Sequence, residues 1–461
     1  MSDIYFLKGN EDKLTDIIDE DKALLSIKSD IAKVFDTKGF SFLLGAGCSS
    51  FYLKSEVEIL VKNQANVTGS QNVAGDQPAN TIIEKWEEIG IPTMKLLADE
   101  FYNSDNKDNS LVLNVAERKA LLDNFAIDVD QPPFKGNLEK FLEVLFSLRH
   151  YHISIRYKEK DEDGAKIPLT VLHDEVEKII RKTKLFILNK VLKDPKNKKD
   201  QPLLDVYEAF YRKLLYRNSS LPKPNIFTTN YDLYSERALD NLGIHYVNGF
   251  SGGINKYFNP TIFNYALAEK MDLSQNKWSV IDNFVYLYKI HGSINWLEDY
   301  SGINKLFSIK EIQEPTIERL EKEEAYMIYP SPIKQNASLG SPYSDLFREF
   351  QKKLMQNNAV LITSGYSFSD EHINNLIFQA FTIPSFRLII FGDKSLPGIE
   401  KLLNLNDPRI WIIGGKTSDK TSLHYFNNMV FKLLPDLNND EIDLTVANAI
   451  KVLLSKNPTN E

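Results

Sequence analysis

Short, fully apolar runs that end in turn-forming residues recur along the chain. A strand with one face in water would alternate apolar and polar positions, and these runs do not. Continuous apolar runs are typical of strands that are buried on both faces of a parallel sheet. The runs, each written with the residues that follow it, are FSFLLGAG, NIFTTNYD, FVYLYKIHGS, AVLITSGYS, RLIIFGD and RIWIIGG.

Longer segments with helical spacing separate many of these runs. In NLEKFLEVLFSL, apolar residues recur at intervals of three and four and form one stripe, which consists of Leu138, Phe141, Leu142, Leu145 and Phe146. The segments LLDVYEAFYRKLLY and SDLFREFQKKLMQN follow the same pattern. Because strands alternate with helices, the sequence predicts an α/β protein with a doubly wound, mostly parallel, Rossmann-like sheet and a large helical insertion subdomain.

We interpret residues 1–461 as a single domain in which several segments are added to the sheet. Residues 51–89 include the polar, glycine-dotted NQANVTGSQNVAGDQPAN, which is typical of a mobile loop. Residues 95–220 are mainly helical in pattern and too long for one crossover, and residues 245–283 form a mixed insertion rich in Asn, Tyr and Phe. Residues 436–461 predict a closing helix and a tail.

The composition of the chain argues against several classes of binding partner. The chain carries 55 basic and 63 acidic residues, a net charge of −8, which argues against direct binding of nucleic acid. No run reaches the roughly 18 apolar residues that a membrane-spanning helix needs, and the polar, acidic start is unlike a secretion signal. The single cysteine excludes a four-cysteine zinc site, and the histidines do not form the HExxH pattern of a zinc enzyme. We therefore expect a cytoplasmic protein that binds neither a membrane nor a metal.

Small, polar and titratable residues follow four of the apolar runs. In an open parallel sheet, ligands bind beyond the carboxyl ends of the strands, near the point where the strand order reverses. Four such ends at one edge therefore predict a ligand site. The four groups are Gly45-Ala46-Gly47-Cys48-Ser49, Thr228-Thr229-Asn230-Tyr231-Asp232, His291-Gly292-Ser293 and Ser364-Gly365-Tyr366-Ser367.

Each group taken alone also has an ordinary structural explanation. Gly45 and Gly47 allow a pyrophosphate to approach backbone N–H groups closely, but they equally suit a plain strand-to-helix turn. Asp232 and Asp370 are placed to cap the helices that follow them. His291 fits a hydrogen-bonded structural histidine as well as a catalytic one.

Two common nucleotide-binding motifs are disfavoured. The P-loop pattern GxxxxGK[ST] does not occur in the chain. The first turn reads GxGxxS, with Ser50 where a dinucleotide-binding fingerprint has its third glycine. No acidic residue ends a second strand about twenty residues later, which argues against a hydride-transfer Rossmann enzyme.

The four groups together match one family in order and spacing. The chain resembles the sirtuin (SIR2) superfamily, in particular its bacterial SIR2-like NAD-hydrolysing branch in anti-phage defence. GAGCS is similar to the family's GAGxS, and Gly90-Ile91-Pro92 to its GIP. TTNYD is similar to TQN-x-D, HGS to the catalytic histidine motif, and GYSFSD to the GTS-type ribose and phosphate loop. The resemblance runs from about residue 40 to residue 375.

Departures from the deacetylase pattern refine what the resemblance implies. The chain lacks the four cysteines of the deacetylase zinc ribbon, Thr93-Met94-Lys95 replaces Asp-Phe-Arg after GIP, and Thr229 replaces the glutamine of TQN. A long insertion also separates GAGCS from GIP. The resemblance therefore implies that NAD is the substrate, is hydrolysed to nicotinamide and ADP-ribose, and needs no zinc. A protein deacylase and a non-catalytic sensor of NAD or ADP-ribose are the alternatives.

The resemblance also implies roles for individual residues. Asn230 orients the ribose hydroxyls or the attacking water, and His291 is the general base toward one of them. Asp232 recognises the nicotinamide carboxamide, and Cys48, at the variable position of GAGxS, packs as a small apolar residue. The residues implied to bind NAD are Gly45, Ala46, Gly47, Ser49, Thr93, Thr229, Asp232, Gly365 and Ser367.

An enzyme that depletes cellular NAD must stay inactive until it is triggered. Members of this branch are often encoded beside a HerA-type ATPase or an Argonaute-like protein, or carry a sensor domain of their own. Because the SIR2-like region extends over nearly the whole chain, we expect a homo-oligomer that a separate activator protein of this kind controls.

Overall fold

A nine-stranded sheet forms the centre of the described part of the chain. The computed structural model describes residues 3–60, 80–105, 110–154, 168–192, 198–215, 217–272, 277–298, 309–319, 325–327 and 341–435. The helix and tail predicted for residues 436–461 lie outside the described residues, and so does nearly all of the polar loop predicted within residues 51–89.

The secondary-structure elements are numbered in chain order over the described residues. The strands are β1 (Tyr5–Lys8), β2 (Glu11–Asp12), β3 (Gly39–Leu44), β4 (Ser50–Leu60), β5 (Asn80–Gly90), β6 (Asn225–Thr228), β7 (His245–Val247), β8 (Phe250–Ser251), β9 (Lys256–Phe258), β10 (Ala268–Asp272), β11 (Lys277–Val280), β12 (Phe284–Lys289), β13 (Gly292–Glu298), β14 (Ile309–Glu311), β15 (Ala325–Met327), β16 (Ala359–Ser364), β17 (Arg387–Phe391) and β18 (Ile410–Gly414). The α-helices are α1 (Glu20–Phe35), α2 (Met94–Tyr102), α3 (Val115–Phe125), α4 (Leu138–Ser154), α5 (Pro168–Val191), α6 (Gln201–Leu215), α7 (Tyr234–Leu242), α8 (Tyr343–Leu354), α9 (Glu371–Ala380), α10 (Pro397–Leu403) and α11 (Phe426–Asn428).

The main sheet is parallel apart from one edge. Its strand order is β2-β1-β18-β17-β16-β3-β6-β12-β7, and the pairs from β18 to β7 are all parallel, whereas β1 and β2 add antiparallel pairs. Each apolar run found in the sequence is a strand of this sheet. Every residue of β3, β6, β16 and β18 is buried, which explains why these strands are apolar without alternation. The predicted α/β fold with a mostly parallel sheet is confirmed.

Helices cover both faces of the sheet. Alternate residues of β3 point to opposite sides, so that Phe42 packs with α1, α6 and α7 while Leu43 packs with α8, α9 and α10. On the first face the rings of Phe42 and Phe210 meet edge to face with their centroids 5.0 Å apart. This two-sided covering is the doubly wound arrangement.

The predicted helical segment 95–220 contributes to two different cores. Helices α2 to α5 pack together around Phe101, Phe141 and Leu145, and this third core also includes Leu233 and Ile294 beside the main sheet. Helix α6 instead packs on the sheet itself. The helical unit therefore lies against the chain that follows β6 and β12, whereas α6 completes a face of the sheet.

The segment 245–283 is likewise divided. Strand β7, at its start, is an edge strand of the main sheet and pairs in parallel with β12. Strands β8 and β9 belong to a five-stranded sheet with β13, β14 and β15, and β10 and β11 form a separate pair. None of the helices in the described ranges is both long enough and apolar enough to cross a membrane.

The strand order reverses between β3 and β16. From β3 the chain adds β6 and β12 on one side, and it later returns to place β16, β17 and β18 on the other. The register pairs Leu44 with both Thr228 and Ser364, and pairs Thr228 with Lys289, so these four strands end at one level. The residues that follow them therefore meet at one edge of the sheet, beside the point of reversal.

Because Gly365 lies in close contact at the reversal point, we expect a single added methyl group there to lower stability strongly. A Cβ on Gly365, whose φ is +63°, would lie 2.5 Å from the Cys48 backbone nitrogen, whereas Gly243 has a φ of +64° with nothing within 4 Å of its Cβ position. We expect Gly243→Ala to lower the free energy of unfolding by about 1–2 kcal/mol through backbone strain. Gly365→Ala should lower it by about 1–3 kcal/mol more because of the clash. Urea unfolding of both variants measures the difference, and equal losses would contradict this account.

Candidate functional site

The turn after β3 is pressed against the end of β16. The Gly45 N–H donates to the Ser364 carbonyl and the Gly47 N–H to the Gly365 carbonyl, both at 2.9 Å. A Cβ on Gly45 would lie 2.4 Å from the Gly365 carbonyl oxygen, and one on Gly47 would lie 2.9 Å from the Gly365 Cα. The glycines of GAGCS and GYS are therefore needed for the contact between these two backbones.

Most amides of this turn bond to the protein itself. Residues Ala46–Cys48 form a short 3₁₀ turn, in which the Cys48 N–H donates to the Gly45 carbonyl and the Ser49 N–H to the Ala46 carbonyl. With Gly45 and Gly47 also engaged, the Ala46 N–H is the amide of the turn that makes no hydrogen bond among the described residues. The sequence predicted that a pyrophosphate could approach several backbone N–H groups here. The exposed Ala46-Gly47 segment instead offers one N–H and a close approach to bare backbone.

Cys48, the last residue of this 3₁₀ turn, carries a buried thiol. Its side chain is fully buried, and its Sγ donates a hydrogen bond to the Ser364 carbonyl at 3.2 Å. Burial raises the pKa of the thiol to about 12. Cys48 is therefore uncharged at neutral pH. It packs like a small apolar residue, as the resemblance implied.

A buried network joins the turn to the loop that follows β6. Asn230 Nδ2 donates to the Gly45 carbonyl at 2.9 Å and to Ser49 Oγ at 2.8 Å, and Ser49 Oγ donates to Asp232 Oδ2 at 2.5 Å. Both donor hydrogens of the Asn230 amide are thus used by the protein. What Asn230 can offer a ligand is its Oδ1 acceptor.

The backbone of the same loop is held against β3. Thr228 Oγ1 donates to the Leu44 carbonyl at 3.0 Å and accepts the Asn230 N–H at 3.0 Å, while the half-buried Thr229 donates its N–H to Leu44 at 3.1 Å. The second carboxylate oxygen of Asp232 accepts the N–H of Tyr234 at 3.1 Å, at the start of α7. This bond from a residue two positions later forms an Asx turn, whereas the N-cap position of α7 is Leu233 and no side chain caps the helix. Asp232 therefore belongs to the network but is not the cap that the sequence predicted.

His291, which follows β12, pairs with Asp370. Its Nε2 lies 3.3 Å from Asp370 Oδ2, and the two side chains are only 12% and 13% exposed. The other oxygen of Asp370 caps α9, where it accepts the N–H groups of His372 at 2.9 Å and Ile373 at 3.2 Å. The ring of Tyr231 lies beside His291 with a centroid separation of 6.5 Å. Asp370 thus connects the histidine to the loop of GYSFSD.

The predicted insertion brings GIP back to GAGCS. Strands β4 and β5 pair along their whole length, with Ser50 opposite Gly90, and the Ile91 N–H donates to the Ser49 carbonyl at 2.9 Å. The two motifs therefore adjoin in space despite their separation in the sequence. Thr93 follows as an exposed residue at the start of α2.

Ser367 is an exposed residue of the loop between β16 and α9. Its hydroxyl oxygen lies 3.0 Å from that of Ser369, which is also exposed. Gly365, two residues earlier, is in contact with the glycine turn. Of the residues predicted to bind NAD, Ser367 therefore lies on a loop anchored at the turn, whereas Thr93 reaches it only through the GIP segment.

A family model described as a SIR2-like domain matches residues 224–387. This match supports membership of the SIR2-like superfamily. The predicted resemblance is confirmed at the level of the superfamily, and the match supports a general relation to NAD-dependent enzymes. No curated protein matches the chain.

The SIR2-like segment contains Asn230, Asp232, His291, Gly365 and Ser367, whereas the GAGCS turn and Thr93 precede it. The hydrogen bonds from Asn230 and Ser49 connect the turn to this segment, so the site is built from both. No group of three or more His, Cys, Asp or Glu side chains in the described ranges is arranged to hold a metal ion.

A buried ion pair of the SIR2-like segment was missed by the sequence analysis. Lys289, at the end of β12, is 1% exposed, and its Nζ donates to the Asp232 carbonyl, to the Tyr231 carbonyl at 3.4 Å and to Glu236 Oε1 at 2.9 Å. Burial raises the pKa of the Glu236 carboxyl, and the Lys289 ammonium opposes this rise. The available sequence signal was a lysine inside the apolar run FVYLYKIHGS, directly before Ile290 and His291.

This ion pair predicts a non-additive effect on stability. Lys289→Met leaves Glu236 buried without its cation, and we expect a loss of about 3–5 kcal/mol in the free energy of unfolding. Lys289→Met combined with Glu236→Leu should recover much of that loss, because no unpaired charge remains. As a control, Lys33→Met removes an ammonium that is 72% exposed and pairs with Asp30, and should cost about 1 kcal/mol or less. Urea unfolding measures all of these, and a double variant as unstable as the sum of its single changes would refute the pairing.

Proposed function

We propose that this protein is an NAD hydrolase that cleaves NAD to nicotinamide and ADP-ribose and acts in the cytoplasm as an effector of bacterial anti-phage defence by depleting NAD. The observation that carries this proposal is the placement of Asn230 and His291 after the neighbouring strands β6 and β12, with Asn230 bonded to the glycine turn at the reversal point of the sheet. SIR2-like proteins use NAD, and this edge of a doubly wound sheet is where such ligands bind.

The residues at this edge fit a dinucleotide. Ala46 and Gly47 are exposed and carry almost no side chain, so a pyrophosphate can lie directly over the turn. Ser367 and Ser369 supply exposed hydroxyls on the adjoining loop for the ribose or phosphate oxygens. Thr93 and Thr229 add polar side chains at the start of α2 and after β6. Gly45, Ser49 and Gly365 hold the surrounding backbone in place.

We assign the roles of the reacting groups from the hydrogen-bond donors and acceptors that each group does not use within the protein. Hydrolysis of the bond to nicotinamide requires water at the ribosyl carbon and a departing nicotinamide. Asn230 Oδ1 accepts a hydrogen bond from that water or from a ribose hydroxyl, since its N–H groups are used. His291 takes the proton from the same oxygen as general base. Asp232 retains acceptor capacity on its carboxylate for the carboxamide N–H while it holds Ser49.

Hydrolysis is favoured over deacylation by composition. A deacetylase-type zinc ribbon needs four cysteines, and the chain has one, Cys48, whose thiol is buried. That thiol is uncharged at neutral pH, so we assign it no part in the reaction.

The proposal predicts loss of NAD hydrolysis on removal of either reacting side chain. Asn230→Ala and His291→Ala should each lower the rate of nicotinamide release from NAD by about 100-fold or more, because each removes a group that acts on the reacting oxygen. Matched controls are Asn241→Ala and His245→Ala, which change exposed residues on α7 and at the amino end of β7. The controls should keep the parent rate.

Three outcomes would contradict this assignment. Unchanged NAD loss in both Asn230→Ala and His291→Ala would remove them from the reaction. Nicotinamide release that depends on an added acyl-lysine peptide would identify a deacylase. Binding of NAD or ADP-ribose without turnover, with or without the product of a neighbouring gene, would identify a sensor.

We further propose that the chain forms a homo-oligomer that a separate protein, such as a HerA-type ATPase or an Argonaute-like protein, activates. A hydrolase that acted freely on cellular NAD would harm its own cell, which is the reason for a switch. We expect light scattering to give a mass that is a multiple of 52.9 kDa, and NAD turnover to rise when the neighbouring gene product is added. A monomer with full turnover on its own would disprove this control.

A further inference from the structure

We propose that Asp370 is a positioning residue that fixes the tautomer of His291, so that Nε2 carries the hydrogen and Nδ1 is the nitrogen that accepts a proton. This inference rests on the proposed function for its catalytic meaning, while its structural content can be tested without turnover. The contact that carries it is the 3.3 Å separation between His291 Nε2 and Asp370 Oδ2.

The chemistry of the two groups determines which nitrogen is protonated. A carboxylate is an acceptor only, so the imidazole nitrogen that faces it must carry the hydrogen. In a neutral imidazole the other nitrogen then holds the lone pair. Only that nitrogen can act as a base, and in His291 it is Nδ1.

Asp370 is itself held in place by a second set of bonds. Its Oδ1 accepts two backbone N–H groups at the start of α9, from His372 and Ile373. These bonds fix the side chain, and the amino end of a helix favours a negative charge there. The oxygen that faces His291 is therefore presented in one orientation by a rigid element of the fold.

The backbone on either side of His291 is fixed independently. Lys289 bonds to the carbonyls of Tyr231 and Asp232, and the Ile294 N–H donates to the Tyr231 carbonyl at 3.1 Å. These contacts set the position of the histidine but not the hydrogen on its ring. The tautomer depends on the group that faces the imidazole, which is the Asp370 carboxylate.

Asp370→Asn separates these two functions of the side chain. Asparagine caps a helix about as well as aspartate, so α9 keeps its first turn. With the cap made by its Oδ1, the amide presents an N–H to His291 Nε2 and favours the opposite tautomer. We expect kcat for NAD hydrolysis to fall by about 100-fold or more, with KM changed by less than about threefold, since a binding group is not removed.

The matched variants distinguish positioning from loss of structure. Asp370→Ser keeps a capping oxygen but removes the carboxylate, and should also lose kcat while it keeps the parent circular dichroism spectrum. Asp19→Asn changes a second capping aspartate, on α1, which accepts the Lys22 N–H at 3.1 Å, and should leave kcat unchanged. Equal kcat losses in Asp19→Asn and Asp370→Asn would reduce Asp370 to a helix cap and overturn the proposal.

Nitrogen NMR reads the tautomer without any enzyme assay. The chain has 7 histidines, so histidine-labelled protein gives few ring signals, and those lost in His291→Gln identify His291. We expect the parent to show a protonated Nε2 and an unprotonated Nδ1, and Asp370→Asn to reverse or mix them. An unchanged tautomer in Asp370→Asn would refute the proposal even if NAD is hydrolysed. A reversed tautomer in a protein that never hydrolyses NAD would instead refute the proposed function alone.

Discussion

The contact between the backbones of GAGCS and GYS is the constraint on which the rest of the site depends. It joins the ends of β3 and β16, the two strands between which the sheet reverses its order, with glycines where any Cβ would collide. On one side of this contact, Asn230 bonds to the Gly45 carbonyl. On the other side, the GYSFSD loop leads to Asp370, whose side chain contacts His291. The two side chains that we propose for the reaction are therefore both positioned through contacts that lead back to this one rigid junction.

The polar side chains around this junction are mostly occupied by one another. Ser49, Asn230 and Asp232 are buried and bonded in series, and Lys289 beneath them bonds to the loop backbone and to Glu236. Such a network stabilises a single arrangement because each member is costly to leave unpaired in a buried place. It also restricts what the site can offer a ligand to the few donors and acceptors that remain, and for this reason the role that we propose for Asn230 falls to its Oδ1 atom.

The sequence predicted the features that depend on local pattern. The buried strands were recognised because each is a continuous apolar run, and the strand ends because small and polar residues follow at once. Strand β7 was assigned to an insertion because it is a three-residue edge strand that begins with the exposed His245, and it carries no apolar run. Pairings between distant residues were also missed, since no local pattern joins Lys289 to Glu236 or His291 to Asp370.

Asp370 illustrates why a correct local interpretation is incomplete. The sequence gives its capping role from spacing alone, and the structure has that cap. A capping carboxylate, however, uses one oxygen for the helix and has a second that points elsewhere. What that second oxygen meets depends on how the fold places the start of α9 relative to His291, which no local pattern shows. A side chain that is fixed for structural reasons is for that reason a good partner for a catalytic one, because its orientation requires no further ordering. In this protein the same Asp370 carboxylate therefore caps a helix and, in our proposal, orients the base.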